Sequence, residues 1–135
     1  MGNDIRTLVR RFYEEAWNAW DDAVVEEILA PDFAFRGSLG DEVRGRDGWR
    51  AYRDKIRAGS PDFHNEIADL VLSPNRAAAR LRYTGHHRGD LLGVPATGRA
   101  ISYSGAAFFT ARDGQLSDAW VLGDLDTLRR QLAGG

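Results

Sequence analysis

"GHHRGDLLGVPATGRA" (residues 85–100) sets two adjacent histidines among four glycines and one proline, and its reading decides the fold class. Its second half, Gly93 to Ala100, has the glycine spacing of G-x-x-x-x-G-K-[ST], in which backbone N–H groups cradle phosphate, a Lys reaches it and a hydroxyl holds Mg²⁺. Here Arg99 stands for the Lys and Ala100 for the hydroxyl. A phosphate loop also opens a helix, whose N-terminus supplies part of the anion binding, whereas the next residues, AISYSGAAFF, read as strand. Glycine, proline and threonine as turn formers explain the stretch as a connection between two strands.

Working outward, Phe63 to Leu72 and Arg76 to His86 flank Ser73-Pro74-Asn75, and Arg99 to Ala111 and Gln115 to Gly123 flank Asp113-Gly114. Each pair reads as a hairpin around a turn. Gly85, Gly105 and Gly123 fall inside strands and are candidate bend points. Upstream the period changes. After Asn3 or Asp4 as N-cap, Ile5, Leu8, Val9, Phe12, Ala16, Ala19 and Trp20 form the stripe of one amphipathic helix, with Tyr13 and Trp17 as a second row. Asp21-Asp22 caps a short helix carrying Val24, Val25, Ile28 and Leu29, ended by Pro31. "DFAFRG" (32–37) alternates like a strand, and Asp47 caps a third helix whose Trp49, Tyr52, Arg53 and Ile56 share a face up to Gly59-Ser60-Pro61. Leu125 to Leu132 forms a last helical turn. Helices followed by an antiparallel meander predict an α+β domain over residues 1–135, with a curved sheet that encloses a pocket.

Composition narrows the function. The 135 residues carry 18 basic and 20 acidic side chains, for a net charge of −2. There is no basic stripe interleaved with aromatics, so nucleic acid and anionic membrane are not expected partners. The absence of cysteine excludes disulfides, a thiol nucleophile and thiolate zinc sites, and fits the cytoplasm. "MGNDIRTLVRR" has no apolar signal region, and Arg6 stands where a myristoylation start needs Ser or Thr.

Adjacent strand residues point to opposite faces, so His86 and His87 do not both ligate one ion, and no metal is expected. One of the two faces inward, either as a proton shuttle or as a hydrogen-bonded strand histidine. No G-x-S-x-G elbow accompanies Ser102 or Ser104, which argues against a serine nucleophile. Counted by twos, Leu116, Asp118, Trp120, Leu122 and Asp124 share one face of a strand. If that face lines a pocket, desolvation raises the Asp124 pKa and makes it a general base; otherwise Asp124 caps the final helix. Aromatics including Tyr13, Trp17, Trp49, Tyr52, Phe108 and Trp120 are core by default, and a subset lining a cavity suits a flat polycyclic ligand.

The ordered set of G-x-H-x-G, G-x-P-x-T-G-[KR], D-G-x-[IL] and W-x-x-x-D followed by Q-L, carried by "YTGHHRGDLLGVPATGRAISYSG" and "ARDGQLSDAWVLGDLDTLRRQL", resembles the SnoaL-like polyketide cyclase family. The resemblance implies a cone-shaped, nuclear-transport-factor-2-like fold and a homodimer. It implies cofactor-independent, intramolecular aldol ring closure of a hydrophobic carbonyl substrate in antibiotic biosynthesis. It carries the acid/base onto Asp124 and the histidine onto His87, with Tyr13 as a positioning group. Trp17, Arg36, Trp49, Tyr52, Phe108 and Trp120 complete the expected substrate contacts. Ketosteroid isomerases share the fold but want a carboxylate where Arg36-Gly37 stand, which argues against that chemistry. An epoxide-hydrolase-like relay would need Asp118, Asp124 and Arg82 or Arg99 together. A non-catalytic ligand-binding or dimeric assembly protein is the alternative from another class.

Overall fold

The computed structural model describes residues 4–134; Asn3 as an alternative cap, the Met1-Gly2-Asn3 start and Gly135 lie outside them. The first helix, α1 (Ile5–Arg11), begins at Asp4, whose side chain accepts from the Thr7 amide at 2.9 Å. It continues as a π-helical segment, Phe12–Trp17, closed by the Asn18 amide donating to the Tyr13 carbonyl at 2.9 Å. The stripe read as far as Trp20 therefore ends at Trp17. Helix α2 (Asp22–Ile28) is capped by Asp21, whose carboxylate takes the Ala23 and Val24 amides. It stops before Leu29 rather than at Pro31, because Leu29 already pairs with Leu116 in the sheet.

Strand β1 (Leu29–Arg36) is followed by the short β2 (Glu42–Arg44) and by α3 (Gly45–Gly59). Helix α3 starts two residues before Asp47, which lies in its first turn. Strands β3 (His64–Leu72), β4 (Arg76–His86), β5 (Ala100–Arg112) and β6 (Gln115–Gly123) precede α4 (Leu125–Leu132). The sheet order is β2-β1-β6-β5-β4-β3, with β1 and β6 parallel and every other pair antiparallel. This is the curved α+β sheet anticipated from the hairpin pattern.

Residues 87–99 connect β4 to β5. The Leu91 and Val94 backbones bond each other across a turn whose central residues, Leu92 and Gly93, both have positive φ, 51° and 78°. The His87 amide donates to the Arg99 carbonyl at 2.8 Å and the Gly98 amide to the His87 carbonyl at 2.7 Å, so these amides serve the loop itself.

Ring packing fills the space between helices and sheet. Phe12 lies 5.0–6.3 Å, centroid to centroid, from Tyr13, Phe33, Phe35, Trp49 and Phe109, and all six are buried. The ladder irregularities fall at Leu29/Ala34, Ile67/Asp69 and Thr110/Ala111, not at the three glycines expected to bend the strands. Those glycines make room instead. A Cβ at Gly105 would stand 2.5 Å from the Tyr83 hydroxyl and 2.6 Å from its ring. Tyr83 cannot yield easily, since it packs between Phe63 and Tyr103 at 5.5 and 4.9 Å. Gly105→Ala is therefore expected to cost about 1–3 kcal/mol in urea unfolding, the usual range for overpacking; a loss under about 0.5 kcal/mol, the size of a neutral surface change, would contradict this packing.

Candidate active site

The π-helical segment, α3 and the sheet enclose a small cavity between them. Trp17, Phe35, Ile56, Phe63 and Val121 supply its apolar wall. Tyr13, Tyr52, Tyr83, Ser38 and Asn65 bring polar atoms to it. The space left between the side chains holds about one water, so a ring system enters only as the wall rearranges.

Three of the chain's four tyrosines, Tyr13, Tyr52 and Tyr83, line it, and the fourth, Tyr103, packs against Tyr83. Tyr83 and Tyr103 are direct register partners on β4 and β5, their rings 4.9 Å apart. Each is buried, at 2 or 3 % exposure. Burial pushes every one of the four phenols above its usual pKa; neighbouring tyrosines add to this at Tyr13, Tyr83 and Tyr103, and the Asp41 carboxylate adds to it at Tyr52. Ser38 lies close enough to Tyr52 and Tyr103 to offset part of this rise, and the Leu39 amide donates to the Tyr52 hydroxyl at 3.3 Å. The Tyr13 and Tyr83 hydroxyls have no such partner among the described residues, which leaves their protons for a ligand. Asn65 is fixed by reciprocal bonds to Asn18, which tie β3 to the end of the π-helical segment.

Tyr13, Trp17 and Tyr52 thus line the cavity, whereas the other singled-out residues lie elsewhere. Trp49 is fully buried in the ring cluster, 5.3 Å from both Phe12 and Trp17. Phe108 and Trp120 are 45 and 42 % exposed on the outer face of the sheet, with the Arg36 guanidinium 4.9 Å from the Trp120 ring centroid. A bulge explains the misreading. Asp118 pairs with Thr110 but Leu116 with Ala111, so Ser117 is an extra residue and the alternation changes parity there. Leu116, Ala119 and Val121 point inward, while Asp118, Trp120, Leu122 and Asp124 are exposed.

Asp124 accordingly caps α4, taking the Thr127 amide at 3.1 Å and the Thr127 hydroxyl at 2.7 Å. These two bonds hold its carboxyl below the usual aspartate pKa, opposite to the rise expected from an apolar wall. It is exposed and lines no part of the cavity, although it follows Gly123 at the end of β6, the strand that lends Val121 to the cavity wall. His87 does not share that site. It is fully buried in the β4–β5 connection, where Nδ1 accepts from the Thr97 amide at 3.2 Å and Nε2–H donates to the Val94 carbonyl at 3.0 Å. His86 instead meets Asp62, Nδ1 to Oδ2 at 2.6 Å, on the surface.

The epoxide-hydrolase-like relay is not assembled either: Arg82 bonds Ser102 and Arg99 bonds the Leu132 carbonyl. No group of three or more His, Asp or Glu side chains suited to a metal occurs among the described residues. No helix among them is long and apolar enough to cross a membrane.

The residues missed from sequence are Ser38, Asn65, Tyr83 and Tyr103. The two tyrosines carried a signal, since each occupies the inward parity of its strand beside Leu81 and Ile101. Ser38 carried none, because a loop following β1 delivers it.

Comparison with known proteins agrees with this architecture. The chain is 31% identical over 114 residues, 82% of its length and 78% of the relative's, to aklanonic acid methyl ester cyclase DnrD of Streptomyces peucetius. Among solved structures it is similar to TsrD from Streptomyces laurentii, with a TM-score of 0.84 and 29% identity over 97% of this chain and 96% of that one. It is likewise similar to IdmH from Streptomyces antibioticus, with a TM-score of 0.82 and 28% identity over 95 and 97% of the two chains. The family model for SnoaL-like polyketide cyclase matches residues 7–132, and the chain, with its curved sheet closed over a tyrosine-lined cavity, belongs to that family.

Proposed function

We propose that this chain, as one SnoaL-like domain, closes a ring in a polyketide-like hydrophobic carbonyl substrate by an intramolecular aldol reaction that needs no cofactor. The convergence of three buried phenols, Tyr13, Tyr52 and Tyr83, on one apolar cavity is the observation that carries the reading. In such a reaction a carbon flanked by carbonyls forms a bond to a second carbonyl carbon, and the hydrogen it gives up ends on the new hydroxyl. Atoms and electrons balance within the substrate.

The cavity meets both demands of that step. Its walls hold a long substrate folded, which converts a diffuse encounter into a positioned one. The free hydroxyls of Tyr13 and Tyr83 donate to the enolate and to the developing alkoxide, in surroundings where hydrogen bonds are strong and water is scarce. Phenols kept neutral by burial can donate hydrogen bonds but are not bases, so they leave the base to another group.

Asp124 fills that place in this reading. Its lowered pKa keeps it ionised at neutral pH, and it stands three residues beyond Val121, which lines the cavity from the same strand end. A carbon acid activated by two carbonyls is acidic enough for such a base. Homodimerisation through the outer sheet face is a second part of the proposal, supported by exposed Phe108, Trp120 and Leu122 on adjoining strands.

Ring closure of aklanonic acid methyl ester, the compound for which the curated relatives are named, is the assay. Asp124→Asn, which still caps a helix, should lower turnover by about 10²–10⁴-fold while substrate binding persists. Tyr83→Phe should lower it about 10²-fold; wild-type turnover in both variants would remove these roles. In light scattering, Trp120→Glu should convert a dimer to a folded monomer, and an unchanged mass would exclude this face as the interface.

A further inference from the structure

Asn65 brings a carboxamide to the cavity wall from β3 and is buried, at 4 % exposure. A carboxamide has an acceptor end and a donor end of nearly the same outline, so which end a ligand meets follows from the hydrogen bonds the group already makes. Asn18 makes them here. Its Oδ1 accepts from the Asn65 backbone amide at 2.9 Å and its Nδ2 donates to the Asn65 carbonyl at 2.9 Å, so both ends of the Asn18 side chain are committed. Asn65 Nδ2 then donates to the same Asn18 Oδ1 at 3.1 Å. Turning the Asn65 amide over would bring two acceptors face to face, which decides its orientation.

The remaining end is Oδ1, which receives no hydrogen bond from any described residue. Nor is it sealed off. Among the described residues, the interior side-chain atoms with neither a partner nor open space beside them are Trp49 Nε1 and Arg53 Nε, so Asn65 Oδ1 borders the cavity that its residue lines. Its register partner Tyr83 leans the other way, toward β5, where its hydroxyl overlies Gly105. Phenol and amide oxygen thus address separate points of a bound molecule. An oxygen with lone pairs and no proton favours an O–H at its point, whereas a carbonyl or enolate oxygen there would meet it as one acceptor meets another.

We propose that Asn65 is a specificity-determining residue that selects substrates carrying a phenolic or enolic hydroxyl, with Oδ1 accepting that O–H and Asn18 as the positioning residue behind it. This rests on the cavity being the substrate site and adds the class of substrate it prefers. The Tyr13 and Tyr83 hydroxyls take a carbonyl oxygen, Asn65 takes the hydroxyl, and together they set which way round the substrate lies.

Calorimetric titration of the full chain with 2-naphthol and with 2-fluoronaphthalene, where fluorine replaces the hydroxyl and carries no proton, tests this. The wild type should bind 2-naphthol about fivefold more tightly, the value of one hydrogen bond to a buried acceptor. Asn65→Leu, which keeps the backbone bonds to Asn18 but gives up the amide, should remove that preference. Asn18→Ala, which frees the Asn65 amide to turn, should lower it. A merely structural role would weaken both ligands together and leave their ratio as it was. Equal affinities in the wild type, or a hydroxyl preference surviving Asn65→Leu, would overturn the assignment to Asn65 while leaving the cavity as an aromatic site. Failure of both ligands to bind would overturn the cavity reading as well.

Discussion

Desolvation of four phenols inside one aromatic cone is the constraint on which the rest of this structure depends. A buried hydroxyl costs free energy unless it is hydrogen-bonded. The Leu39 amide bonds the Tyr52 hydroxyl, Ser38 lies beside Tyr52 and Tyr103, and the cavity leaves Tyr13 and Tyr83 open to a water or a ligand. The backbone gives way around the rings: a Cβ at Gly37 would fall 2.2 Å from the Tyr52 ring, as one at Gly105 would meet Tyr83. Cavity and fold are thus set by the same packing.

Stability and chemistry pull in one direction here. Phenols that stay neutral because they are buried are also the ones that donate most usefully to an oxyanion, since no water competes for it. A small cavity with room for about one water is a resting state in which little apolar surface is left unpacked. Substrate then replaces ring-to-ring contacts with ring-to-substrate contacts of similar kind.

Much of the fold was legible in the sequence because period-two hairpins and capped amphipathic helices are local. The bounds Arg76 to His86 and Gln115 to Gly123 coincide with β4 and β6. The site was less legible, for two physical reasons. One extra residue at Ser117 inverts the parity of β6, so counting by twos from Leu116 put Trp120 and Asp124 on the cavity side when they lie outside it. Distant strands and a loop, moreover, bring Tyr83, Tyr103 and Ser38 together, and no spacing within one segment records that meeting. The histidine pair was split correctly, His87 inward and His86 outward, yet His87 is held by its own loop rather than by the cavity.

Alkaline titration followed by tyrosinate absorbance tests the neutral tyrosine cluster most directly. Unfolded tyrosines ionise near pH 10, and in the folded chain all four are raised above this. Because the folded pKa values lie above the unfolded ones, the stabilisation is complete below about pH 10 and is lost as pH rises beyond it. The account predicts no tyrosinate signal until the chain unfolds above about pH 10, and then all four ionising with the loss of near-ultraviolet circular dichroism. A tyrosine that titrates near pH 10 while the fold persists would contradict it.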